Sequence, residues 1–322
     1  MPLRIGTRGS ALALWQTERV RACLDARGHA TERIEIRTTG DVVSDVPLAR
    51  IGSRALFTRQ LDDALLEGRV DLAVHSLKDL PTTLPEGIAI AAVGLREDPR
   101  DALVSRGGIP WNSLPHGAVV ATSSLRRRAQ LLAARPDLTI DDIRGNVDTR
   151  LAKLDRSDRW AAIVLAVAGL ARLGAEACIS ERLPLELMLP APGQGALAAT
   201  VRRDDAGAHA AAREAFHDRE TALATGAERA VLRRLEGGCQ VPVAAHARFM
   251  TENGGHRLEL IGRVASLAGD AVVSGRRVGP ADSPEEADAL GIALADELLA
   301  NGAAAILDAV RVAAASAPVP EP

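Results

Sequence analysis

The chain contains no tyrosine and few other aromatic residues. Its 322 residues include three Phe and three Trp, so that aromatic residues make up 2% of the whole. Proteins that bind single-stranded nucleic acid stack the bases on aromatic side chains. A formal charge of −3 also provides no excess of positive charge for a phosphate backbone. The sequence therefore argues against a nucleic-acid partner.

Cysteine and long apolar runs are also scarce. Cys23, Cys178 and Cys239 are odd in number and widely spaced, which argues against a disulfide scaffold or a thiolate zinc site. No uninterrupted apolar run reaches the roughly 18 residues of a membrane span, and the first residues do not read as a secretory signal. We therefore expect a cytoplasmic protein with no metal site and no membrane partner.

Lysine is almost missing. Of the 39 basic residues only Lys78 and Lys153 are lysines, which leaves 37 arginines. A GC-rich genome would by itself explain such a bias, so the positions of the arginines carry more information than their number.

Hydrophobic periodicity predicts an α/β protein with two lobes and a smaller third domain. Strand and helix patterns alternate over the first two thirds of the chain, and two successive α/β sets with crossing connections imply a cleft between them. A change of period after Gly238 predicts an α+β domain, whose helix begins at a capping box from Ser283 to Glu286 and stops at Asn301-Gly302. The expected strands cover residues 3–6, 33–37, 70–74, 87–93, 118–121, 139–143, 162–166, 196–202, 242–249, 257–265 and 271–278.

The chemistry is expected where the strands end, because ligands of open α/β sheets bind outside the carboxyl ends of the strands. Each expected strand of the two lobes runs into a polar or basic junction. These junctions contain Arg8, Ser10, His75 to Asp79, Thr122 to Arg128, Arg144 to Arg150, and Arg172. Several basic junctions that converge on one cleft predict a polyanionic small-molecule ligand.

Arg126 to Arg128 follow Ser124, the expected N-cap of a helix. The positive end of a helix dipole disfavours cations in the first turn. Three arginines are favourable there if an anion binds among them. The alternative interpretation is that the three arginines form a basic helix face exposed to solvent.

Two further groups are candidates for covalent or proton chemistry. Lys78 can form a Schiff base if it is desolvated, while the neighbouring Asp79 can serve as an acid, a base or a counter-charge. A strand-end salt bridge between them is the alternative. Cys239 lies on the glycine-rich turn 236–240, where its thiol is the most accessible of the three.

Ten stretches, in order between residues 7 and 245, are the most specific feature of the sequence. They read TRGSALALWQ, TTGD, LFTRQLDDALL, AVHSLKDLP, REDPRDALVS, ATSSLRRRAQL, IRGNVDTRLAKLD, LAVAGLARLG, LPAPGQGALA and LEGGCQVPVAA. Together they resemble the porphobilinogen deaminase (hydroxymethylbilane synthase) family.

The resemblance implies a transferase of tetrapyrrole biosynthesis. Such an enzyme condenses four porphobilinogen molecules head to tail with loss of ammonia, and then releases hydroxymethylbilane by hydrolysis. It also implies two periplasmic-binding-protein-like lobes and a monomeric enzyme. The implied domains are residues 1–95 with 195–216, residues 99–192, and residues 218–312, followed by a flexible tail over 313–322.

The resemblance further implies roles for individual residues. A dipyrromethane cofactor, built from porphobilinogen, is joined by a thioether to Cys239, and Asp79 is the catalytic carboxylate that stabilises the cation left when ammonia departs. The implied cofactor-binding residues are Ser76, Lys78, Thr122, Ser124, Arg126, Arg127, Arg144 and Gly145. The implied substrate-binding residues are Arg8, Ser10, Phe57, Arg126, Arg150 and Arg172. Arg54, Arg59 and Ala171 stand where lysine is common in the family.

Two other functions compete with this interpretation. A non-catalytic solute-binding or sensor protein on the same two-lobed fold would leave Cys239 without a role. A Schiff-base aldolase would use Lys78 and would be trapped there by borohydride in the presence of substrate.

Overall fold

The computed structural model describes residues 1–38, 58–235, 241–252 and 255–315 of the chain. In this part the chain forms three sheets with helices packed against them. The strands are β1 (Leu3–Thr7), β2 (Thr31–Glu35), β3 (Leu72–Ser76), β4 (Ile88–Val93), β5 (Asp101–Ser105), β6 (Val119–Ala121), β7 (Thr139–Asp141), β8 (Ala162–Ala166), β9 (Glu181–Arg182), β10 (Leu197–Arg202), β11 (Val243–Glu252), β12 (Gly255–Ala265) and β13 (Val272–Gly279). The α-helices are α1 (Ala11–Asp25), α2 (Arg59–Leu66), α3 (Leu125–Ala134), α4 (Val147–Arg156), α5 (Val167–Arg172), α6 (Ala206–Phe216), α7 (Arg219–Arg234), α8 (Pro284–Leu298) and α9 (Ala304–Ala315).

The first two sheets are built on one plan. The first has the strand order β2-β1-β3-β10-β4, and the second has the order β7-β6-β8-β5-β9. In each sheet three neighbouring strands are parallel, and the fourth, β10 or β5, runs antiparallel to them. The chain therefore crosses from the first sheet to the second between β4 and β5, and returns between β9 and β10.

This arrangement confirms the expected fold class of two α/β lobes and a small C-terminal α+β unit. Each sheet draws its strands from one of the three expected domains, although the exact domain boundaries stay a prediction. Helices cover both faces of the first two sheets, so their central strands are apolar over most of their length.

The two crossing segments run side by side at the junction of the lobes. The backbone N–H of Glu97 donates to the carbonyl of Gly195 at 3.2 Å. Gly195 has a φ of +93°, and a Cβ there would lie 2.6 Å from the Glu97 carbonyl oxygen. Only glycine fits both the backbone conformation and the close approach.

The third sheet is tied to this junction by Glu228, a fully buried residue of α7. Its carboxylate pairs with Arg96 at 2.6 Å and accepts the backbone N–H groups of Gly193 and Ala247, each at 2.7 Å. One carboxylate thus joins both crossing segments to β11. A buried ion pair of this kind is stable because each oxygen has hydrogen-bond partners.

Most expected elements are present, with three differences. Strands β5 and β9 were not predicted, because β5 has only three apolar residues, Ala102–Val104, close to the charged run before it, and β9 has only two residues, both charged. Helical periodicity predicts a continuous helical stretch over 208–235, but the structure has two helices there, α6 and α7, with Asp218 as the N-cap of the second. Beyond α8, residues 299–303 form a π turn in which Gly302 has a φ of +105°, and helix resumes as α9.

This last difference corrects the C-terminal prediction. The chain does not leave the helix for good at Asn301-Gly302, and α9 continues to Ala315, beyond the predicted start of the tail at Ala313. Residues 316–322 lie outside the described part.

Among the described residues, one helical stretch, Pro284–Ala313, is long and apolar enough by composition to cross a membrane. In its most apolar segment, 39% of the residues are buried. It packs on the third sheet, where Leu294 and Leu298 approach Gly262 and Gly275. The packing is that of a core helix.

We predict that Gly195→Ala lowers the free energy of unfolding by about 1–3 kcal/mol, because alanine would be strained at this φ and would displace the Glu97 carbonyl. Urea unfolding followed by circular dichroism measures the change. Gly226→Ala is the matched control, since Gly226 lies inside α7 with open space around it. There alanine should add up to about 1 kcal/mol. Equal stability of Gly195→Ala and the unchanged protein would contradict the prediction.

Candidate active site

Residues of both lobes meet at the carboxyl end of β3. This strand ends at Ser76 and is followed by one turn of 3₁₀ helix, Leu77–Asp79. Asp79 is exposed, and Lys78 is half-buried with its Nζ 3.1 Å from Oε1 of Gln194, a residue of the returning segment. The turn therefore presents an acid to solvent and directs the lysine toward the lobe junction.

Lys78 lies in a strongly cationic environment. Burial, aided by the positive charges of Arg127 and Arg126, lowers the pKa of Lys78 to about 8, although Asp79 and Asp101 oppose the shift. An amine with this pKa exchanges a proton near neutral pH, unlike an ordinary lysine.

Arg126 and Arg127 are in the first turn of α3, as predicted. The Oγ of Ser124 caps this helix by accepting the backbone N–H of Arg127 at 3.4 Å. Both guanidiniums are buried, and both pair with one carboxylate: Asp101 lies 2.7 Å from Arg126 Nη1 and 2.7 Å from Arg127 Nη2. The anion inferred from the sequence at this helix start is thus in part a residue of the protein.

Asp101 was missed by the sequence analysis. It is fully buried at the start of β5. Burial raises the pKa of the Asp101 carboxyl, but the charges and hydrogen bonds of Arg126 and Arg127 outweigh this, and the pKa lies well below its usual range. The signal available in the sequence was an acid directly before the apolar run Ala102–Val104.

The hydroxyl groups after β6 organise the ends of neighbouring strands. Thr122 is buried, and its Oγ1 accepts the backbone N–H of Ser124 at 3.2 Å. Ser123 Oγ accepts the N–H of Ile143 at 3.0 Å and donates to its carbonyl at 2.9 Å. These bonds hold the end of β6 against the segment after β7, where the next arginines lie.

Arg150 joins the same group of cations from α4. Its Nε donates to the carbonyl of Gly145 at 2.8 Å. Burial, together with the charges of Arg127 and Arg144, lowers the pKa of Arg150 to about 10, and Asp79 opposes the shift. The junction after β7 thus adds another cation beside Asp79.

Arg144 and Gly145 form the turn before α4. Gly145 has a φ of +117°, and a Cβ there would lie 2.7 Å from Thr149 Cγ2, so the turn requires glycine. Burial lowers the pKa of Arg144. Its Nη1 is buried and has no hydrogen-bond partner among the described residues. An unsatisfied buried donor of this kind is uncommon and suits a ligand that accepts hydrogen bonds.

We call Lys78, Arg126, Arg127, Arg144 and Arg150 the cationic cluster. Their charges act on one another and on Asp79 and Asp101. Asp142 acts on Arg144 as well, so five cations face three carboxylates among the described residues, which leaves an excess of positive charge for an anionic ligand.

Arg172 is near the cluster but has partners of its own. It is buried, its Nε lies 2.9 Å from Glu97 Oε2, and its Nη2 donates to the carbonyl of Gly195 at 2.8 Å. Its guanidinium also lies over the ring of Trp15 in α1, 5.8 Å from the centroid. Arg172 therefore connects the second lobe to both crossing segments and to the first lobe.

Arg8, Ser10 and Ser76 belong to the first lobe. Ser10 Oγ caps α1 by accepting the N–H of Ala13 at 3.3 Å. Ser76 Oγ accepts from Gln16 Nε2 at 2.8 Å. Arg8 is half-buried at the end of β1, and its charge, added to burial, lowers the pKa of His75 to about 4. His75 is therefore neutral near pH 7.

Two predicted site residues, Cys239 and Phe57, lie outside the described residues, as does Arg54. What the structure does describe are the elements on either side of residues 236–240. Helix α7 before them holds Gly193 through Glu228, and in β11 after them the N–H of Ala245 donates to the Pro190 carbonyl. Both flanks are therefore anchored on the returning segment that carries Gln194.

Comparison with known proteins identifies relatives over almost the whole chain. The family model described as "Porphobilinogen deaminase, dipyromethane cofactor binding domain" matches residues 3–210, and "Porphobilinogen deaminase, C-terminal domain" matches residues 222–300. A porphobilinogen deaminase of Desulforudis audaxviator is 53% identical over 312 residues, 96% of this chain and 98% of the relative. One of Geobacter sulfurreducens is 48% identical over 310 residues, 95% and 93% of the two chains.

The solved structures that the chain matches are far less similar in sequence. The methionine-binding protein MetQ is 14% identical with a TM-score of 0.42, over 68% of this chain and 91% of its own. A nutrient-binding protein of Burkholderia cenocepacia bound to methionine is 15% identical with a TM-score of 0.44, over 68% and 93%.

We predict that Lys78 reacts with an amine reagent at a lower pH than an ordinary lysine. In a Lys153→Arg variant, where Lys78 is the only lysine, the rate of acetylation by acetic anhydride should reach half its maximum near pH 8. Mass spectrometry of the peptide containing Lys78 measures this rate. The same protein in concentrated urea is the control, and there the midpoint should rise to about 10.4. Equal midpoints in the two conditions would show that the fold does not shift this amine.

Proposed function

The chain belongs to the porphobilinogen deaminase family, and from this premise we propose how its residues divide the work on cofactor and substrate. Enzymes of this family make hydroxymethylbilane, so the protein is a transferase that condenses four porphobilinogen molecules with loss of ammonia in tetrapyrrole biosynthesis. It uses a dipyrromethane cofactor. This identification replaces the solute-binding and aldolase alternatives.

The cationic cluster fits that cofactor. The pyrrole rings carry carboxylate side chains, and the planar guanidinium of arginine pairs with a carboxylate through two hydrogen bonds. The buried Nη1 of Arg144, without a partner among the described residues, is the observation that carries the assignment. The proposed cofactor-binding residues are Ser76, Lys78, Thr122, Ser124, Arg126, Arg127, Arg144 and Gly145. When bound, the cofactor supplies the pyrrole position to which the first substrate molecule is joined.

We further propose that the cofactor is attached through a thioether to Cys239. Its thiol follows two glycines, and the elements on either side are fixed to the returning segment through Glu228 and Ala245. Since Gln194 of that segment contacts Lys78, the described elements on either side of residues 236–240 and the cluster contact the same segment.

Asp79 is the proposed catalytic group. Its carboxylate is exposed to the ligand, and the charges of Lys78, Arg150 and Arg172 act on it. As ammonia leaves porphobilinogen, positive charge develops on the pyrrole, and the Asp79 carboxylate stabilises that charge and accepts a hydrogen bond from the ring N–H. The neighbouring cations are available to hold the substrate's carboxylates.

Substrate recognition is assigned to the arginines around this acid. Arg8 and Ser10 follow β1, whereas Arg126, Arg150 and Arg172 lie in the helices that follow β6, β7 and β8. Phe57 precedes α2 in the sequence. Because Arg172 already donates to Glu97 and Gly195, its contribution to a substrate carboxylate is limited to its remaining N–H groups. Arg150 uses only its Nε for a hydrogen bond to the described residues, so it is better placed for such a contact.

The enzyme is further proposed to act as a monomer in the cytoplasm. The cationic cluster and Asp79 all come from one chain. Cys23 and Cys178 are free thiols, as is usual in a reducing compartment.

Native mass spectrometry of the purified protein tests the cofactor assignment. We expect a single chain that is heavier than its sequence by two pyrrole units, with the extra mass on the peptide containing Cys239. Cys239→Ser should have the mass of the bare sequence, whereas Cys178→Ser, at the exposed free cysteine, should keep the adduct. A bare mass for the unchanged protein, or an adduct that survives Cys239→Ser, would overturn the assignment.

For Asp79→Asn we expect a fall in kcat of at least about 100-fold, because the neutral amide cannot stabilise the developing positive charge. The fold and the adduct mass should persist. Turnover of porphobilinogen, followed by the coloured porphyrin formed on oxidation of the product, measures the loss. Asp155→Asn, at an exposed position of α4, serves as the control and should leave kcat within about twofold. Comparable activity of the two variants would remove Asp79 from the mechanism.

A further inference from the structure

Asp101 holds more cations than any other described carboxylate of the site. It is fully buried. Its Oδ2 accepts from Arg126 Nη1 at 2.7 Å, and its Oδ1 accepts from Arg127 Nη2 at 2.7 Å and from Arg127 Nε at 3.1 Å. The two contacts to Arg127 come from one edge of the guanidinium, Nε and Nη2, which fixes its orientation.

The carboxylate also orients the amide that holds Lys78. Gln194 donates from Nε2 to Asp101 Oδ1 at 3.0 Å and to the Pro99 carbonyl at 2.7 Å, so that its Oε1 faces Lys78 Nζ. Asp101 lies in the second lobe and Lys78 in the first. One buried carboxylate therefore determines the direction of three cations from both lobes.

The charge of this group is not balanced. Asp101 neutralises one of the two guanidiniums, and the pair keeps a net charge of +1. Arg126 donates from Nη1 to Asp101 and to the Leu189 carbonyl, the latter at 2.7 Å. Its Nε and Nη2 donate to none of the described residues. Asp101 thus leaves donors and one positive charge for a ligand.

We propose that Asp101 is a positioning residue that takes the place of a ligand carboxylate before the cofactor is bound. Two buried guanidiniums without an anion would repel each other and lose their hydration. Asp101 keeps them close together and aligned in the unloaded chain, and the carboxylates of the cofactor complete the neutralisation when it binds. The inference rests on the proposed binding of the cofactor by Arg126 and Arg127.

A specific consequence distinguishes this role from ordinary packing. If Asp101 acts as a substitute for ligand carboxylates, its charge should matter most when those carboxylates are missing. A purely structural role would make the loss of Asp101 equally harmful with and without the cofactor. The two cases are separated by measuring stability in both states.

The experiment compares Asp101→Asn in two backgrounds, the loaded enzyme and a Cys239→Ser chain that cannot attach the cofactor. Intact mass establishes the loading, and thermal unfolding gives the midpoints. We expect the midpoint to fall by at least about 5 °C more in the Cys239→Ser background than in the loaded enzyme. Asp98→Asn is the matched control. Asp98 lies three residues before Asp101, and it pairs with Arg100 at 2.6 Å in a more exposed position. Its effect should be equal in both backgrounds.

Further variants keep the test decisive. Asp101→Glu, which retains the charge, should recover most of the midpoint lost by Asp101→Asn in the Cys239→Ser background. If Asp101→Asn does not fold, Asp101→Asn/Arg127→Gln should fold, since it restores the net charge of +1. Failure of this double variant, or equal losses of midpoint in the two backgrounds, would overturn the role of Asp101. A bare mass for the unchanged enzyme would instead overturn the attachment at Cys239, so the two failures are distinguishable.

Discussion

The burial of several guanidinium groups at one junction is the constraint on which the rest of this structure depends. A buried charge is costly unless an opposite charge and hydrogen-bond partners accompany it. Asp101 meets this need for Arg126 and Arg127, Glu97 for Arg172, and Glu228 for Arg96. Each of these acids lies on or against a crossing segment. The electrostatics of the site and the connection of the lobes are therefore the same set of contacts.

The topology explains why these contacts can form. Each sheet accepts one antiparallel strand, β5 or β10, that directly follows a crossing segment. Asp101 opens β5 and Gln194 precedes β10, so each crossing ends with a polar residue at the junction. Gly195 allows the two segments to approach closely enough for that meeting. A change at the junction is thus expected to alter both lobe geometry and the direction of the arginines.

Much of this arrangement was accessible from the sequence, and the remainder was not for identifiable reasons. Ser124 was recognisable as an N-cap because capping requires only local spacing. Asp101 was not, since its importance comes from side chains about 25 residues away and from a neighbour, Gln194, that is 93 residues distant. The sequence analysis assigned Arg126 and Arg172 to a ligand and did not predict the carboxylates of the protein with which they pair. Periodicity indicates which side of a helix is buried, but it does not indicate which residues contact one another there.

The scarcity of lysine acquires a physical meaning at this site. A guanidinium in the cationic cluster keeps its charge despite burial: even Arg150, whose pKa falls to about 10, stays protonated near pH 7. The amine of Lys78 in the same surroundings has a pKa of about 8. A cluster built from lysines would therefore lose part of its positive charge as the pH rises through that value, whereas arginines hold a polycarboxylate with constant strength. Lys78, the cluster member that exchanges a proton in this range, directly precedes Asp79, so one of the charges that act on the proposed catalytic carboxylate responds to pH.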